Sequence, residues 1–119
     1  MTGDARASSG IVVVVNGEHM GHGDDALGAM LMIKFLATLT TVDPKPDTLV
    51  FYNAAVRLLT AESASLGALK ELEETGAQML ACVTCLEFYE LVDQLAVGKV
   101  SNMREIVQHL MNAQKVVAI

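Results

Sequence analysis

Basic residues are scarce in this chain, and they are never clustered. Eight Lys and Arg stand against fourteen Asp and Glu among 119 residues, which gives a formal net charge of −6. No four consecutive residues contain two basic residues. Binding to a nucleic-acid backbone or to an anionic membrane surface requires clustered Lys and Arg. We therefore expect neither nucleic acid nor membrane among the partners of this protein.

Long apolar runs and a secretory leader are also missing. The strongly apolar stretch over 29–39 is interrupted by Lys34, whereas a membrane-spanning helix needs about 20 apolar residues. The first ten residues are small and polar, and they lack the basic and apolar segments of a signal peptide. We therefore expect a cytoplasmic protein, with a flexible leader over 1–9 and a single domain over 10–119.

Strand-like and helix-like segments alternate along the domain. The first segment, Ile11–Val15, is an unbroken β-branched run, which is typical of a strand buried on both faces. The predicted strands are 11–15, 48–52, 78–82 and 115–119. The predicted helices are 26–40, a short turn over 56–59, a helix that starts at Thr60 or Ser63 and ends before Gly76, one that follows Cys85, and one capped by Asn102. The order β-α-β-α-β-α-α-β indicates an α/β fold, a small three-layer sandwich whose mostly parallel sheet carries helices on both faces.

The ends of these strands predict where a ligand binds. In open parallel sheets, ligands bind beyond the carboxyl ends of the strands. The loop over 16–24, the segment that starts at Asn53, and the C-x-x-C motif over 82–85 all follow strands. We therefore expect them to meet at one edge of the sheet. The candidate substrate-binding residues there are Asn16, Gly17, Gly21, Asp24, Asn53 and Thr84.

The chain has only two cysteines, and both belong to the C-x-x-C motif. Cys82 ends a predicted strand and Cys85 begins a predicted helix, so both thiols are expected near the partial positive charge of a helix N-terminus. A stabilised thiolate can accept or pass on a sulfur atom, or form a disulfide. We therefore take Cys82 and Cys85 as the candidate catalytic residues, with Arg57 as the nearby cation. The alternative is a pair of small buried residues without chemistry.

Metal and phosphate sites are the other chemical interpretations of these motifs. His19 and His22 could join the two cysteines in a zinc site, although two exposed loop histidines are the simpler interpretation. The glycine-rich loop over 17–28 is not a phosphate-binding motif, because Asp24 and Asp25 place negative charge where a phosphate would bind. We expect no bound metal and no cofactor.

The helix predicted over 26–40 is apolar on nearly every side. Only Lys34 and Thr38 are polar in its middle. A helix with this pattern is buried on more than one side. A domain of this size cannot cover it alone, and we therefore expect a homo-oligomer.

Four segments of the chain resemble the DsrE/DsrF-like family, and in particular the DsrE-like domain of YedF-type proteins. They are NGEHMGHGDDALG over 16–28, FYN over 51–53, CVTC over 82–85 and LAVGKVSNM over 95–103. The resemblance covers about residues 10–119. It implies a small α/β fold, trimers or hexamers, and a role related to sulfur transfer or selenium metabolism.

The resemblance also implies roles for individual residues. Some members of the family carry sulfur as a persulfide on one cysteine just after the third strand, which corresponds to Cys82, with Cys85 as an additional thiol. In those members an Arg-Gly pair ends eight residues further on, whereas this chain has Tyr89 and Glu90 there. YedF-type proteins usually carry a TusA-like sulfur-carrier domain, which implies such a protein as donor.

Three functions follow from these observations. The first is a sulfur or selenium carrier that acts through Cys82, assisted by Cys85, and that is a sulfurtransferase-like carrier at most rather than a turnover enzyme. The second is a non-catalytic oligomeric module with a ligand pocket at the strand ends. The third is a metal-binding module built from cysteine and histidine.

Overall fold

The computed structural model describes residues 7–119 and contains five strands and four α-helices in that range. The strands are β1 (Ile11–Val15), β2 (Thr48–Phe51), β3 (Gln78–Cys82), β4 (Lys99–Ser101) and β5 (Lys115–Ala118). The helices are α1 (Asp25–Leu39), α2 (Leu66–Glu74), α3 (Val83–Phe88) and α4 (Met103–Asn112), with a 3-10 helix over Asn53–Leu59. Within these residues, no helix is both long and apolar enough to cross a membrane.

The five strands form one parallel sheet in the order β4-β3-β2-β1-β5. The β-branched run of β1 lies at an inner position between β2 and β5, with Val13 opposite Leu49 and Val117. An inner strand of a parallel sheet is covered on both faces, which is why its apolar residues do not alternate with polar ones. The predicted α/β fold with helices on both faces is confirmed.

Alternate residues of β1 point into two separate hydrophobic clusters. Val13 and Val15 pack in the larger cluster, which also contains Met32 and Leu36 of α1 and includes residues of α2 and α3. Val12 and Val14 pack in a smaller cluster, where α4 contributes Ile106. Three helices therefore cover one face of the sheet, while α4 covers the other.

The sequence missed β4 and misplaced the start of two helices. β4 has three residues, of which only Ser101 is buried, so it carries no apolar pattern. Helix α3 begins at Val83, directly after β3, and therefore contains Cys85 rather than following it. Helix α2 begins after Ser65 and not at Thr60 or Ser63. The predicted cap of α1 is confirmed, because the Asp24 carboxylate accepts the N–H of Leu27.

A polar contact ties the segment before β1 to the start of β2. Residues 1–6 of the predicted leader lie outside the described residues. Asp47 accepts hydrogen bonds from the hydroxyl of Ser8 at 2.6 Å and from the amides of Ser9 and Gly10 at 2.9 and 2.8 Å. Burial alone would raise the pKa of Asp47, but these hydrogen bonds outweigh it and lower the pKa below its ordinary value.

Candidate functional site

The three predicted segments do meet at the carboxyl edge of the sheet. The loop over 16–24 follows β1, the 3-10 helix follows β2, and α3 follows β3. Since β1, β2 and β3 are parallel, their carboxyl ends lie side by side. The amide of Tyr52 donates to the carbonyl of Val15, which extends this pairing beyond the strands. The fold thus brings the candidate substrate loop and the thiols to one edge.

Cys82 is buried at the junction of a strand and a helix. It is the last residue of β3 and the N-cap residue of α3. Only 1% of its surface is exposed, and it packs in the apolar cluster of Val14, Leu80 and Ile106. On the neighbouring strand β4, Ser101 lies opposite it in the register. A second protein can therefore not reach this sulfur without a movement of the chain.

Cys85 is the more accessible of the two thiols. It is partly exposed and lies three residues further on in α3, packed against both hydrophobic clusters, including the one that contains Cys82. Its Sγ accepts a hydrogen bond from the backbone N–H of Asn53 at 2.9 Å. Neither cysteine is in a disulfide. The two sulfurs therefore form a pair with one buried and one surface member.

Asn53 holds its amide toward Cys85 through an unusual backbone conformation. Its φ is +56°, in the left-handed region that Asn tolerates better than most residues. The Asn53 Oδ1 accepts the hydroxyl of Tyr89 at 3.5 Å. Two contacts thus join the end of β2 to helix α3. The predicted candidate Asn53 lies directly against Cys85.

The pKa of the Cys85 thiol is raised above its ordinary value. Burial is the largest cause, since it disfavours the charged thiolate. The Asn53 amide opposes this shift, while the Cys82 side chain adds to it through a hydrogen bond and through charge. The sequence predicted the opposite direction, from the helix N-terminus and from Arg57 as a nearby cation. Burial and the neighbouring Cys82 side chain therefore disfavour the Cys85 thiolate, and the Asn53 N–H is the contact that favours it.

Arg57 lies near this site but does not face the sulfurs. Its guanidinium sits over the ring of Tyr89, 5.4 Å from the centroid, and its Nε is 3.7 Å from the Glu18 carboxylate. Arg57 is not among the groups that shift the pKa of Cys85. Sequence reasoning missed Tyr89 and Glu18. The spacing could have indicated Tyr89, because it lies four residues after Cys85 on the same side of a helical turn.

The glycine-rich loop lines a separate shallow cavity of about 370 Å³. Its lining includes Asn16, Gly17, Gly21 and Ala54, the residue after Asn53. Asp24 contributes its carboxylate to the cap of α1, at 2.8 Å from the Leu27 amide nitrogen. Among the other predicted binding residues, Thr84 is exposed on α3. The structure thus divides the predicted site residues into two sets: Asn53 and the two cysteines at one place, and the residues of the glycine-rich loop around this cavity at another.

The structure does not assemble the cysteine and histidine residues into a metal site. His19 and His22 line the loop cavity, whose lining does not include Cys82 or Cys85. Among residues 7–119, no group of three or more His, Cys, Asp or Glu side chains is placed to hold a metal ion. The described residues therefore do not bring together the four side chains that the Cys/His metal-binding alternative requires.

Another cavity lies at the opposite edge of the sheet. It has a volume of about 670 Å³ and opens where β2, β3 and β4 begin, with Asp47, Gln78 and Lys99 in its lining. The sequence did not predict it, since it forms between residues that are far apart in the chain. It is open to solvent and remote from both thiols.

The fold and the strand-end thiols place this chain in a defined class. It is a small α/β protein with a five-stranded parallel sheet and a cysteine at the end of the third strand. The model of the DsrE/DsrF-like family matches residues 10–119, and the chain belongs to that family. A search of curated proteins finds no match.

Several solved structures share this fold. The ychN protein from E. coli is 18% identical with a TM-score of 0.70, and the match covers 92% of this chain and 97% of that one. MTH1491, a protein of unknown function from Methanobacterium thermoautotrophicum, is 21% identical with a TM-score of 0.66 over 92% and 97% of the two chains. BT1422 from Bacteroides thetaiotaomicron, a conserved protein of unknown function, is 14% identical with a TM-score of 0.60 over 92% and 93%. At these identities the likeness is one of fold.

Proposed function

We propose that this protein is a sulfur-relay protein that carries sulfane sulfur as a persulfide on the Cys82–Cys85 pair. The observation that carries the proposal is the pair itself: two free thiols at the carboxyl edge of the sheet, packed in one apolar cluster, one of them partly exposed. Membership of the DsrE/DsrF-like family supports it. The four segments that resemble YedF-type proteins favour that branch of the family, with sulfur or selenium as the cargo.

The chemistry needs one nucleophilic sulfur and one donor. A cysteine thiolate attacks the outer sulfur of a donor persulfide, the new S–S bond forms, and the donor leaves as its thiolate, which takes up a proton. The Asn53 amide is placed to stabilise the Cys85 thiolate that makes this attack, because its N–H already points at Sγ. This chain therefore supplies the acceptor thiol and one hydrogen-bond donor for it.

The surroundings of the pair suit the arrival of a carrier protein. Phe88 is 78% exposed beside Tyr89, whose ring contacts it edge to face, and Arg57 covers Tyr89. Exposed aromatic and Arg side chains are enriched at protein interfaces. We propose a TusA-like sulfur carrier as the donor, a homotrimer or hexamer as the assembly, and the cytoplasm as the compartment.

Intact mass after exposure to a persulfide donor tests this function. The reduced protein is mixed with glutathione persulfide and quenched early with an alkylating reagent. We expect a gain of about 32 Da, the mass of one sulfur atom, on a cysteine. The matched control is the double variant Cys82→Ser/Cys85→Ser, which should gain none. If neither the protein nor either single variant gains sulfur, the pair is a structural part of a binding module and the proposal is wrong.

A further inference from the structure

We propose that the two thiols have different roles: Cys85 accepts the sulfane sulfur at the surface, and Cys82 then attacks it, forming an internal disulfide and releasing sulfide. This inference rests on the proposed function and states what happens to the sulfur after the protein has accepted it. It makes the protein a persulfide-reducing, sulfide-releasing protein rather than a carrier that only stores its cargo. Three observations lead to it: the access to each thiol, the packing around Cys82 and the spacing of the two residues.

Access decides which thiol reacts first. Cys82 is 1% exposed, whereas Cys85 is partly exposed at the same edge as Phe88 and Tyr89. Attack on a donor requires that the acceptor sulfur and the outer donor sulfur meet in line. Only Cys85 offers such an approach without unfolding the strand end. The Asn53 N–H also points at the Cys85 sulfur.

Packing decides what Cys82 can do next. It lies among Val14, Leu80 and Ile106 in a closed apolar cluster. A persulfide on Cys82 would insert one more sulfur atom into this cluster, and interiors at native density resist added volume. A disulfide with Cys85 adds no atom there. The buried position therefore favours attack on the inner sulfur of the Cys85 persulfide over transfer of the outer one.

The spacing of the two residues permits the bond. Cys82 is the N-cap residue of α3 and Cys85 is the third residue of the helix. Residues three apart at a helix start are neighbours, with about 5–6 Å between their Cβ atoms. A disulfide brings the Cβ atoms to about 3.5–4.5 Å, so the two side chains need to approach each other by about 1–2 Å. The Cys82 side chain already interacts with Cys85, and Cys85 packs against the cluster that contains Cys82.

The step balances as an internal thiol–persulfide exchange. The Cys82 sulfur, as its thiolate, attacks Sγ of the Cys85 persulfide, the Cys82–Cys85 bond forms, and the outer sulfur leaves as HS⁻. The two cysteine sulfurs are oxidised to the disulfide while the sulfane sulfur is reduced to sulfide. The proton lost from Cys82 is taken up by the leaving HS⁻ or by solvent. A dithiol reductant returns the pair to its reduced state.

Time-resolved mass and sulfide measurement test the roles. The reduced full chain is mixed with one equivalent of glutathione persulfide. We expect a transient gain of about 32 Da, followed by a disulfide about 2 Da lighter than the reduced chain, with one sulfide released per chain. Cys82→Ala should keep the added sulfur on Cys85 and release no sulfide. Cys82→Ser serves as a second variant in case the alanine form does not fold. Cys85→Ser should neither gain sulfur nor release sulfide.

The outcomes separate this inference from the proposed function. If the unaltered chain keeps its added sulfur and releases no sulfide, the carrier function stands and the assignment of Cys82 as the attacking thiol is wrong. If Cys85→Ser gains sulfur while both Cys82 variants do not, the two roles are reversed. If no form gains sulfur or forms the disulfide, the proposed function fails as well.

Discussion

At the scale of single residues, the two cysteines differ in environment although they are only three positions apart. Cys82 closes a strand inside an apolar cluster, and Cys85 lies on the first turn of a helix with one polar contact. The resemblance assigns the reactive sulfur to Cys82. The 1% exposure of Cys82 leads us to expect that Cys85 meets external reagents first.

Thiol labelling as a function of pH checks this ordering. Because burial and Cys82 both raise the pKa of Cys85, we expect labelling by iodoacetamide to be slow at neutral pH and to rise as the pH passes the ordinary thiol value. Cys82→Ala removes one of the two causes, so the labelling profile should move to lower pH. An unchanged profile in Cys82→Ala, or labelling of Cys82 before Cys85 in the folded chain, would contradict this expectation.

Asn53 provides a second residue-scale prediction, through its backbone. The φ of Asn53 is +56°, a conformation that Asn tolerates through local hydrogen bonds of its polar side chain and that Ala does not. Asn53→Ala should therefore lower the free energy of unfolding by about 1–2 kcal/mol. Asn53→Gly should lower it less, because glycine accepts this conformation. Both variants lose the contact with Tyr89, so the difference between them reports on the backbone alone. Urea denaturation measures it, and equal losses would show that strain at Asn53 is unimportant.

At the scale of elements, short polar contacts fix where helices and strands begin. Asp24 caps α1, and Asn102 caps α4 by accepting the amide of Glu105 at 2.8 Å. The Glu105 carboxylate in turn accepts the hydroxyl of Ser101 in β4, which ties the edge strand to the helix that follows it. Asp47, directly before β2, likewise accepts hydrogen bonds from the residues before β1 and holds them against the sheet. Each of these contacts places an element without contributing apolar area.

The Asp47 contact predicts a loss of stability at acid pH. Its pKa is lower in the folded chain than in the unfolded one, so the unfolded state binds the proton first as the pH falls. The contribution of Asp47 is therefore fully present above the ordinary carboxyl pKa and is lost as the pH falls through the folded value. The free energy of unfolding should thus decline less steeply below about pH 4 in Asp47→Asn than in the unaltered chain. Parallel acid profiles of the two proteins would contradict this role.

At the scale of the whole molecule, apolar side chains remain uncovered on both faces. The outer side of α1 exposes Leu27, Met30, Leu31 and Ile33. On the opposite face of the sheet, α4 exposes Met103, Val107 and Met111 at a helical spacing of four residues. Patches of this kind mark interaction surfaces in proteins. An oligomer of the kind predicted from the sequence would cover them.

Light scattering tests the assembly. We expect a homotrimer or hexamer at micromolar concentration, with α1 in the interface. Met30→Glu places a charge in the centre of the exposed α1 side and should lower the assembly mass, because an unpaired charge is costly to bury. Val107→Glu makes the same change on α4 and shows whether that face also takes part. A monomer mass for the unaltered chain would refute the expectation.

Patterns within the sequence were enough to predict the features that depend on neighbours in the chain. The unbroken run of β1 predicted an inner parallel strand, Asp24 and Asn102 predicted two helix starts, and the C-x-x-C motif predicted thiols at the end of β3. The resemblance of four segments led to the family that the family model confirms. These signals are readable because strand periodicity, helix capping and motif spacing are local properties.

The exposure of the two thiols and their contacts follow from tertiary packing. Cys82 is buried because α4 packs over the carboxyl half of β3 and because β4 pairs with β3 beside it. The three residues of β4 are too few to show a strand pattern in the sequence. Asn53 reaches Cys85 across 32 positions, and Arg57 faces Tyr89 and Glu18 instead of the sulfurs. Contacts between residues far apart in the chain depend on how whole elements pack. Their packing sets the burial that raises the pKa of Cys85, and no local pattern encodes it.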